Sequence, residues 1–247
     1  MTDQDKGVVI VTGASRGIGA AIAERLADDG YGVVVNYGAD AEGAKSVVSA
    51  IGAKGGRAAA VRADVASEDQ VSDLFDRAQQ MGPLTALINN AGTIGQRARI
   101  DEQQVDDLTR LMQVNVVGPM LCAKHAVQAM STAHGGNGGC IVNIASIASK
   151  APDRFTEIVP YGATKGALVT FARGLSNEVA AEGIRVNSVS PGVIETGIVT
   201  PKEQELGAHS PLGRMGQPEE IAAAVSWLIS PEASYVTGSD IAVSGGR

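Results

Sequence analysis

The stretch Tyr161-Gly162-Ala163-Thr164-Lys165 sets a phenol and an ammonium four residues apart. On a helix that spacing puts both side chains on one face. A free phenol titrates near ~10, too high to exchange protons readily at neutral pH. A neighbouring ammonium favours the phenolate and lowers that value, and proton transfer works best when the donor's pKa approaches the working pH. Upstream, the apolar run Val142-Asn143-Ile144-Ala145 ends in Ser146, whose hydroxyl could hold a substrate oxygen. The three groups together suit proton transfer to or from an oxygen. Singly, each has an ordinary explanation: tyrosine–lysine pairs at this spacing are common on helix surfaces, and a serine after a strand is usually a cap or turn residue.

A second cluster suits an anion. Val8–Thr12 leads directly into Gly13-Ala14-Ser15-Arg16-Gly17-Ile18-Gly19 and then a helical stretch. The spacing is GxxxGxG, not the GxGxxG of the usual dinucleotide fingerprint. The physics is the same: Gly13 permits a tight exit from the strand, while Gly17 and Gly19 let backbone approach a pyrophosphate at a helix N-terminus, where free amides favour negative charge. Any tight strand-to-helix turn could use these glycines, but here they fall in the first βα turn. Asn89-Asn90-Ala91-Gly92 follows the fourth strand, and reads as a ligand-facing turn or as an ordinary Asn-rich one. Asp64-Val65, after the third strand, could meet an adenine ring; Asp64 could equally cap a turn or helix.

The end of strand two bears on which nucleotide is held. An NAD site normally places Asp or Glu there for the ribose 2′-hydroxyl. This chain has Val35-Asn36-Tyr37-Gly38, with no acid before Asp40. Arg16 could reach a 2′-phosphate, which suits a guanidinium by charge and geometry. NADP(H) is therefore favoured. Strand two is followed by no second basic residue, which leaves NAD(H) possible.

These residues need elements to position them. Short β-branched runs at Val8–Thr12, Val33–Asn36, Ala58–Val61, Leu84–Asn89, Ile141–Ile144, Arg185–Val189 and Ile241–Val243 alternate with stretches of helical spacing. Ser67 and Gln70 read as a capping box opening a helix to about Gln80, and Pro218-Glu219-Glu220 as the first turn of another. Ile221, Val225, Leu228 and Ile229 would be its buried stripe. Strand, helix, strand implies right-handed crossovers and a parallel sheet covered on both faces. The expected architecture is α/β: a single doubly wound Rossmann domain over 1–247, with a central seven-stranded parallel sheet. Gly135-Gly136-Asn137-Gly138-Gly139 reads as a loop and not as a domain boundary.

Composition fits this reading. Of 247 residues, 44% are hydrophobic and 19% charged, enough for a sizeable core and unlike a disordered chain. The net charge of −7, with no Lys/Arg block, argues against nucleic acid as a partner. Cys122 and Cys140 lack metal-ligand spacing, so neither a zinc site nor a disulfide framework is expected. No apolar run reaches the ~20 residues of a bilayer span, and the short acidic start is unlike a signal peptide. No membrane partner and a cytoplasmic location are the expectations.

The ordered set Thr12-Gly13-Ala14-Ser15-Arg16-Gly17-Ile18-Gly19, NNAG at 89–92, Ser146, and Tyr161 with Lys165 resembles the short-chain dehydrogenase/reductase family in its short single-domain form, from about Lys6 to Gly246. The resemblance implies an oxidoreductase in which a nicotinamide supplies hydride and Tyr161 the proton. It makes Asn115 a fourth active-site residue, distorting its helix and holding a water that links Lys165 to solvent. It assigns Lys165 to the nicotinamide ribose, and sets Pro191-Gly192, Ile194 and Thr196 beside the nicotinamide. It also implies a homotetramer that pairs the helices near 104–131 and 161–182 and the C-terminal strand, with Leu168, Val169 and Phe171 extending the apolar surface beyond one stripe.

Substrate contacts are expected from Gly95–Arg99, from Lys150–Pro160 and from Ile198–Met215, the last a mobile lid. The overall text resembles glucose-dehydrogenase-like members, which points to a sugar-like or other small carbonyl compound. A 3-oxoacyl-carrier-protein reductase is the alternative. An acidic carrier needs a basic surface, however, and His134–Gly139 and Ala181-Glu182-Gly183 offer none. A non-catalytic NADPH sensor would have no need of the intact Ser146/Tyr161/Lys165 set.

Overall fold

A computed structural model describes residues 6–150, 156–197, 205 and 207–247. In chain order the elements are β1 (Val8–Val11), α1 (Gly17–Asp28), β2 (Gly32–Tyr37), α2 (Ala41–Ala53), β3 (Ala58–Arg62), α3 (Glu68–Met81), β4 (Leu84–Asn89), α4 (Val105–Met112), α5 (Gly118–Met130), β5 (Gly139–Ile144), α6 (Val159–Val179), β6 (Ile184–Pro191), α7 (Pro218–Ile229) and β7 (Asp240–Val243). The strands form one seven-stranded sheet in the order β3-β2-β1-β4-β5-β6-β7. Every pairing is parallel. The order reverses between β1 and β4, where the carboxyl ends of an open α/β sheet leave a crevice.

The sheet is double-faced because its strands are apolar on both sides. Val8, Val9, Ile10 and Val11 are all wholly buried. Val9, Val11, Val33 and Val35 meet Ile22 and Leu26 of α1, Val47 of α2, and Ile221, Val225 and Leu228 of α7. Val8, Ile10, Val34 and Leu87 face Leu74 and Phe75 of α3, Cys122 and Met130 of α5, and Val179 of α6. Each fully buried branched side chain is worth ~1.5–3 kcal/mol. The expected stripe on α7 holds, except that Ile229 is only partly buried at its edge. Both cysteines are free and buried. Among the described residues no helix is long and apolar enough to cross a membrane.

Three local expectations need correction. The capping box at Ser67 does not form: the serine side chain makes no cap bond. The Gln70 side chain accepts from Asp64 N at 3.0 Å instead, while Asp64 Oδ1 accepts from Ala66 N. The turn ahead of α3 thus captures the amide that would have closed the box. Gly139 belongs to β5 and not to the preceding loop, and Ser146 lies beyond the strand, which ends at Ile144.

Where β4 to β7 approach the crevice, one row of the sheet turns polar. Asn89 pairs with Asn143, Asn143 with Ser188, and Ser188 with Asp240. Buried polar groups are normally partnered, and this row is only partly so: Asn89 Oδ1, Asn143 Nδ2 and Ser188 Oγ are buried without a hydrogen-bond partner among the described residues. Asn89 Nδ2 donates to Asn143 Oδ1 at 2.9 Å and to Pro119 O at 3.2 Å. Asp240 accepts from Ser190 Oγ at 2.7 Å and pairs with Lys150 Nζ at 2.8 Å.

Candidate active site

The crevice holds two cavities. The larger, of about 900 Å³, runs along the carboxyl ends of β1, β2 and β3. The smaller, of about 320 Å³, lies over β5 and β6. Ile18, Asn90, Gly92 and Thr196 line both, so the two form one trough.

The larger cavity is shaped by backbone. Gly13 adopts φ +62°, and a Cβ there would stand 2.8 Å from Ala91 Cα. Only glycine allows both the left-handed turn and that approach. A Cβ on Gly19 would strike the Asn90 amide and come within 2.5 Å of Gly13 O. Asn90 is therefore the brace of this turn: its Nδ2 donates to Thr12 O at 2.9 Å and to Gly13 O at 3.0 Å. Thr12 Oγ1 accepts from the amides of Asn90 and Ala91, both at 3.0 Å. Asn36 is likewise a brace. Its Oδ1 accepts from Gly13 N at 3.2 Å, and its Nδ2 donates to Val61 O and Ala63 O. The side chain is engaged by backbone on both ends, which explains an amide at the end of β2.

Ser15, Arg16, Gly17 and Ile18 close the cavity at the start of α1, whose first turn carries no acidic residue. Asp64 and Val65 form part of the opposite wall. Both readings of Asp64 meet here: it lines the cavity, yet its carboxylate caps Ala66 N and pairs with Arg110 at 2.9 Å. Asp40 is engaged as the N-cap of α2, accepting from Gly43 N at 2.9 Å. Arg62, at the end of β3, also lines the cavity. It is a cation that the sequence reading did not find, because nothing after β2 is basic; strand pairing brings it in from the neighbour.

The smaller cavity is shaped by side chains. Ser146, Tyr161, Lys165, Pro191, Gly192 and Ile194 all line it. Pro160 is the second residue of α6, with Tyr161 in the same first turn and Lys165 one turn on. Ser146 heads a short turn, its Oγ accepting from Ala148 N at 3.1 Å. It also shares a hydrogen bond with the Tyr161 phenol. Lys165 is buried, and its Nζ donates to Ile144 O at 2.8 Å. That ammonium lies 5.7 Å from the Tyr161 ring centre.

The expected direction of the Tyr161 shift is corrected. Burial pushes the phenol above its ordinary value, partly offset by the Ser146 hydrogen bond. Burial also lowers Lys165 from 10.5 to about 8. Desolvation disfavours the charged form of each group, and Lys165, turned to the Ile144 carbonyl, is not among the causes that move the phenol.

Asn115 lines neither cavity and stands behind the wall. It lies in a π-helical turn, Gln113–Val117, inserted between α4 and α5. Its Oδ1 accepts from Thr93 N at 2.9 Å, and its Nδ2 donates to Thr93 O at 2.7 Å and to Thr164 Oγ1 at 3.1 Å. The expected distortion of the helix is present, as π-turns often are at functional sites.

The segments expected to meet substrate fare unevenly. Arg97 and Ile158 line the smaller cavity, as does Ile94, which the sequence reading omitted. Residues 151–155, and 198–204 and 206 of the expected lid, lie outside the described residues. Leu212 and Arg214 line a separate hollow against β7. Among the described residues no cluster of His, Cys, Asp or Glu suits a metal ion.

Residues 13–247 match a family model described as enoyl-(acyl carrier protein) reductase. The chain is 43% identical over 246 residues to the uncharacterized oxidoreductase YgfF of Escherichia coli (strain K12), covering 97% of this chain and 99% of that one. It is 40% identical over 243 residues to glucose 1-dehydrogenase 2 of Bacillus subtilis (strain 168), covering 96% and 93%. Among solved structures it is similar to a blue fluorescent protein from a metagenomic library in complex with NADPH, at 37% identity and a TM-score of 0.90, covering 98% of each chain. The chain belongs to the short-chain dehydrogenase/reductase family of oxidoreductases.

Proposed function

We propose that this chain interconverts an alcohol and a ketone or aldehyde with NADP(H), on a sugar-like or other small carbonyl substrate. The observation that carries this reading is the convergence of Ser146, Tyr161 and Lys165 on a cavity continuous with the glycine-lined one. The larger cavity fits a dinucleotide: its floor is backbone that a Cβ would fill at Gly13 and Gly19, and α1 presents free amides. The solved relative in complex with NADPH supports the same assignment. Gly13, Ser15, Gly17, Ile18 and Gly19 would hold the pyrophosphate side, Asp64 and Val65 the adenine, and Arg16 a 2′-phosphate. Ala91 and Gly92 would line the central stretch, with Pro191, Gly192, Ile194 and Thr196 at the nicotinamide end.

When bound, the nicotinamide supplies or accepts a hydride at the substrate carbon. Ser146 Oγ holds the substrate oxygen; in reduction the Tyr161 hydroxyl gives that oxygen a proton and becomes phenolate, and in oxidation the phenolate takes the alcohol proton back. In the protein alone the phenol is buried and its proton is held firmly. Lys165 supplies a cation at the back of the site, and its turn from Ile144 O toward a ribose would bring charge to bear on the phenol. Asn115 holds the backbone at Thr93 and the α6 hydroxyl at Thr164, keeping the wall beside Gly92 in register with Lys165. Exposed Val105, Met112, Val117 and Met120 on and beside α4 and α5 support assembly through those helices into a tetramer.

Tyr161→Phe tests the reading. Turnover on a panel of carbonyls and alcohols should fall by ~10²–10⁴-fold, while NADPH binding, followed by nicotinamide fluorescence, stays within about twofold of wild type. Near-wild-type turnover would refute the proton-donor role. A short acyl thioester in the panel distinguishes a carrier-protein reductase from one acting on free ketones.

A further inference from the structure

We infer that Arg62 is the second arm of the 2′-phosphate site, reaching across from β3 to a place that β2 leaves empty. This rests on the NADP(H) reading above and adds to it a residue that sets the preference. Three observations point the same way. Arg62 pairs with Tyr37 in the β2–β3 ladder, so its Cα stands level with the end of β2. Its Nε donates to Gly38 O at 3.2 Å, which pins the guanidinium against the β2–α2 connection at the cavity wall. A Cβ on Gly38 would meet nothing within 4 Å apart from its own chain neighbours, so the connection leaving β2 is open on that side.

The charges around this end of the cavity leave Arg62 and Arg16 as its cations without a carboxylate partner among the described residues. Arg110 is paired with Asp64. Asp40 is hydrogen-bonded at the N-terminus of α2, where the helix dipole opposes its charge. Arg62 and Arg16 line the same cavity from different elements, Arg62 from β3 and Arg16 from the glycine turn. Two guanidiniums approaching from different sides suit a phosphate, which has several oxygens to offer, better than a ribose hydroxyl. The Nε bond to Gly38 leaves both Nη groups of Arg62 for that contact.

Calorimetric titration of the full chain with 2′-phospho-ADP-ribose and with ADP-ribose measures the preference without turnover. Wild type should bind the 2′-phosphate probe at least about tenfold tighter. Arg62→Gln should cut that ratio by roughly five- to tenfold with little change for ADP-ribose, and flatten the salt dependence of 2′-phosphate binding. Arg62→Lys, which keeps the charge and loses the fork, should fall between. Thermal midpoints equal to wild type certify folding of both variants. If wild type has no preference, the NADP(H) reading itself fails. If the preference persists undiminished in Arg62→Gln, Arg16 acts alone and the Arg62 inference is overturned. Equal losses for both probes also overturn it, since Arg62 would then only shape the adenosine wall.

Discussion

The two halves of the trough are held by different forces. Around the glycine turn the determinants are steric: backbone passes close to backbone, and Asn36, Asn90 and Thr12 use their polar atoms to brace it. Around Tyr161 and Lys165 the determinants are electrostatic: a phenol and an ammonium are kept out of water against their preference. A steric site is sensitive to added atoms and indifferent to pH. An electrostatic one tolerates small changes of shape and responds to any change in charge.

Gly19→Ala should break the first half most severely. The new methyl meets the Asn90 amide and Gly13 O, so overpacking of ~1–3 kcal/mol is expected. Its readout is a lower thermal midpoint together with a loss of nucleotide affinity of about tenfold or more. Unchanged affinity for ADP-ribose would mean that the brace yields, and that the steric account is wrong.

Lys165→Met probes the second half through pH. The folded chain holds Lys165 near 8, against 10.5 ordinarily. Between these values the unfolded chain binds more protons, so this group's contribution to stability rises with pH and is level below about 8. The stability difference, wild type minus Lys165→Met, should therefore increase from pH 8 towards 10.5 in the protein without nucleotide. The thiols of Cys122 and Cys140, pushed up by burial to about 12 and about 11, act oppositely above 9, but they are common to both chains and cancel. A flat difference in denaturant titrations would place Lys165 in a wetter setting than its burial implies.

Gly92→Ala sits where the halves meet and should have the smallest effect. Its Cβ would lie 3.4 Å from both Asn115 Oδ1 and Lys165 Nζ. Stability should change by under ~0.5 kcal/mol, while kcat falls a few-fold, about threefold, as Lys165 is nudged. A large loss of stability with unchanged kcat would show that the contact is packing alone.

The difference between the halves also explains what could be read from the sequence. Periodicity exposed the strands: burial on both faces writes a continuous apolar run in β1, and the only partly buried edge strands β3 and β7 keep short apolar runs of their own. Glycine spacing exposed the turn, because few other residues pass so close to backbone. Arg62 was not legible, since its place is set by register with β2 and not by proximity in the chain. Ser67 and Gln70 matched a local pattern that the upstream turn at Asp64 overrode. The brace roles of Asn36 and Asn90 were hidden for a related reason: a polar residue at a strand end looks the same whether it faces a ligand or a neighbouring carbonyl. The direction of the Tyr161 shift depended on solvent exclusion, which spacing along a helix does not report.

Asp240 carries a consequence for the order of assembly. Its carboxylate ties Lys150, just after the Ser146 turn, and Ser190, just before Pro191 and Gly192. Both tethered segments are synthesised well before residue 240. A nascent chain can therefore dock β1 to β6 and fill both faces of the sheet while the Ser146 turn and the exit of β6 remain untied. The tie between the two segments that flank Tyr161's half of the trough therefore waits for β7.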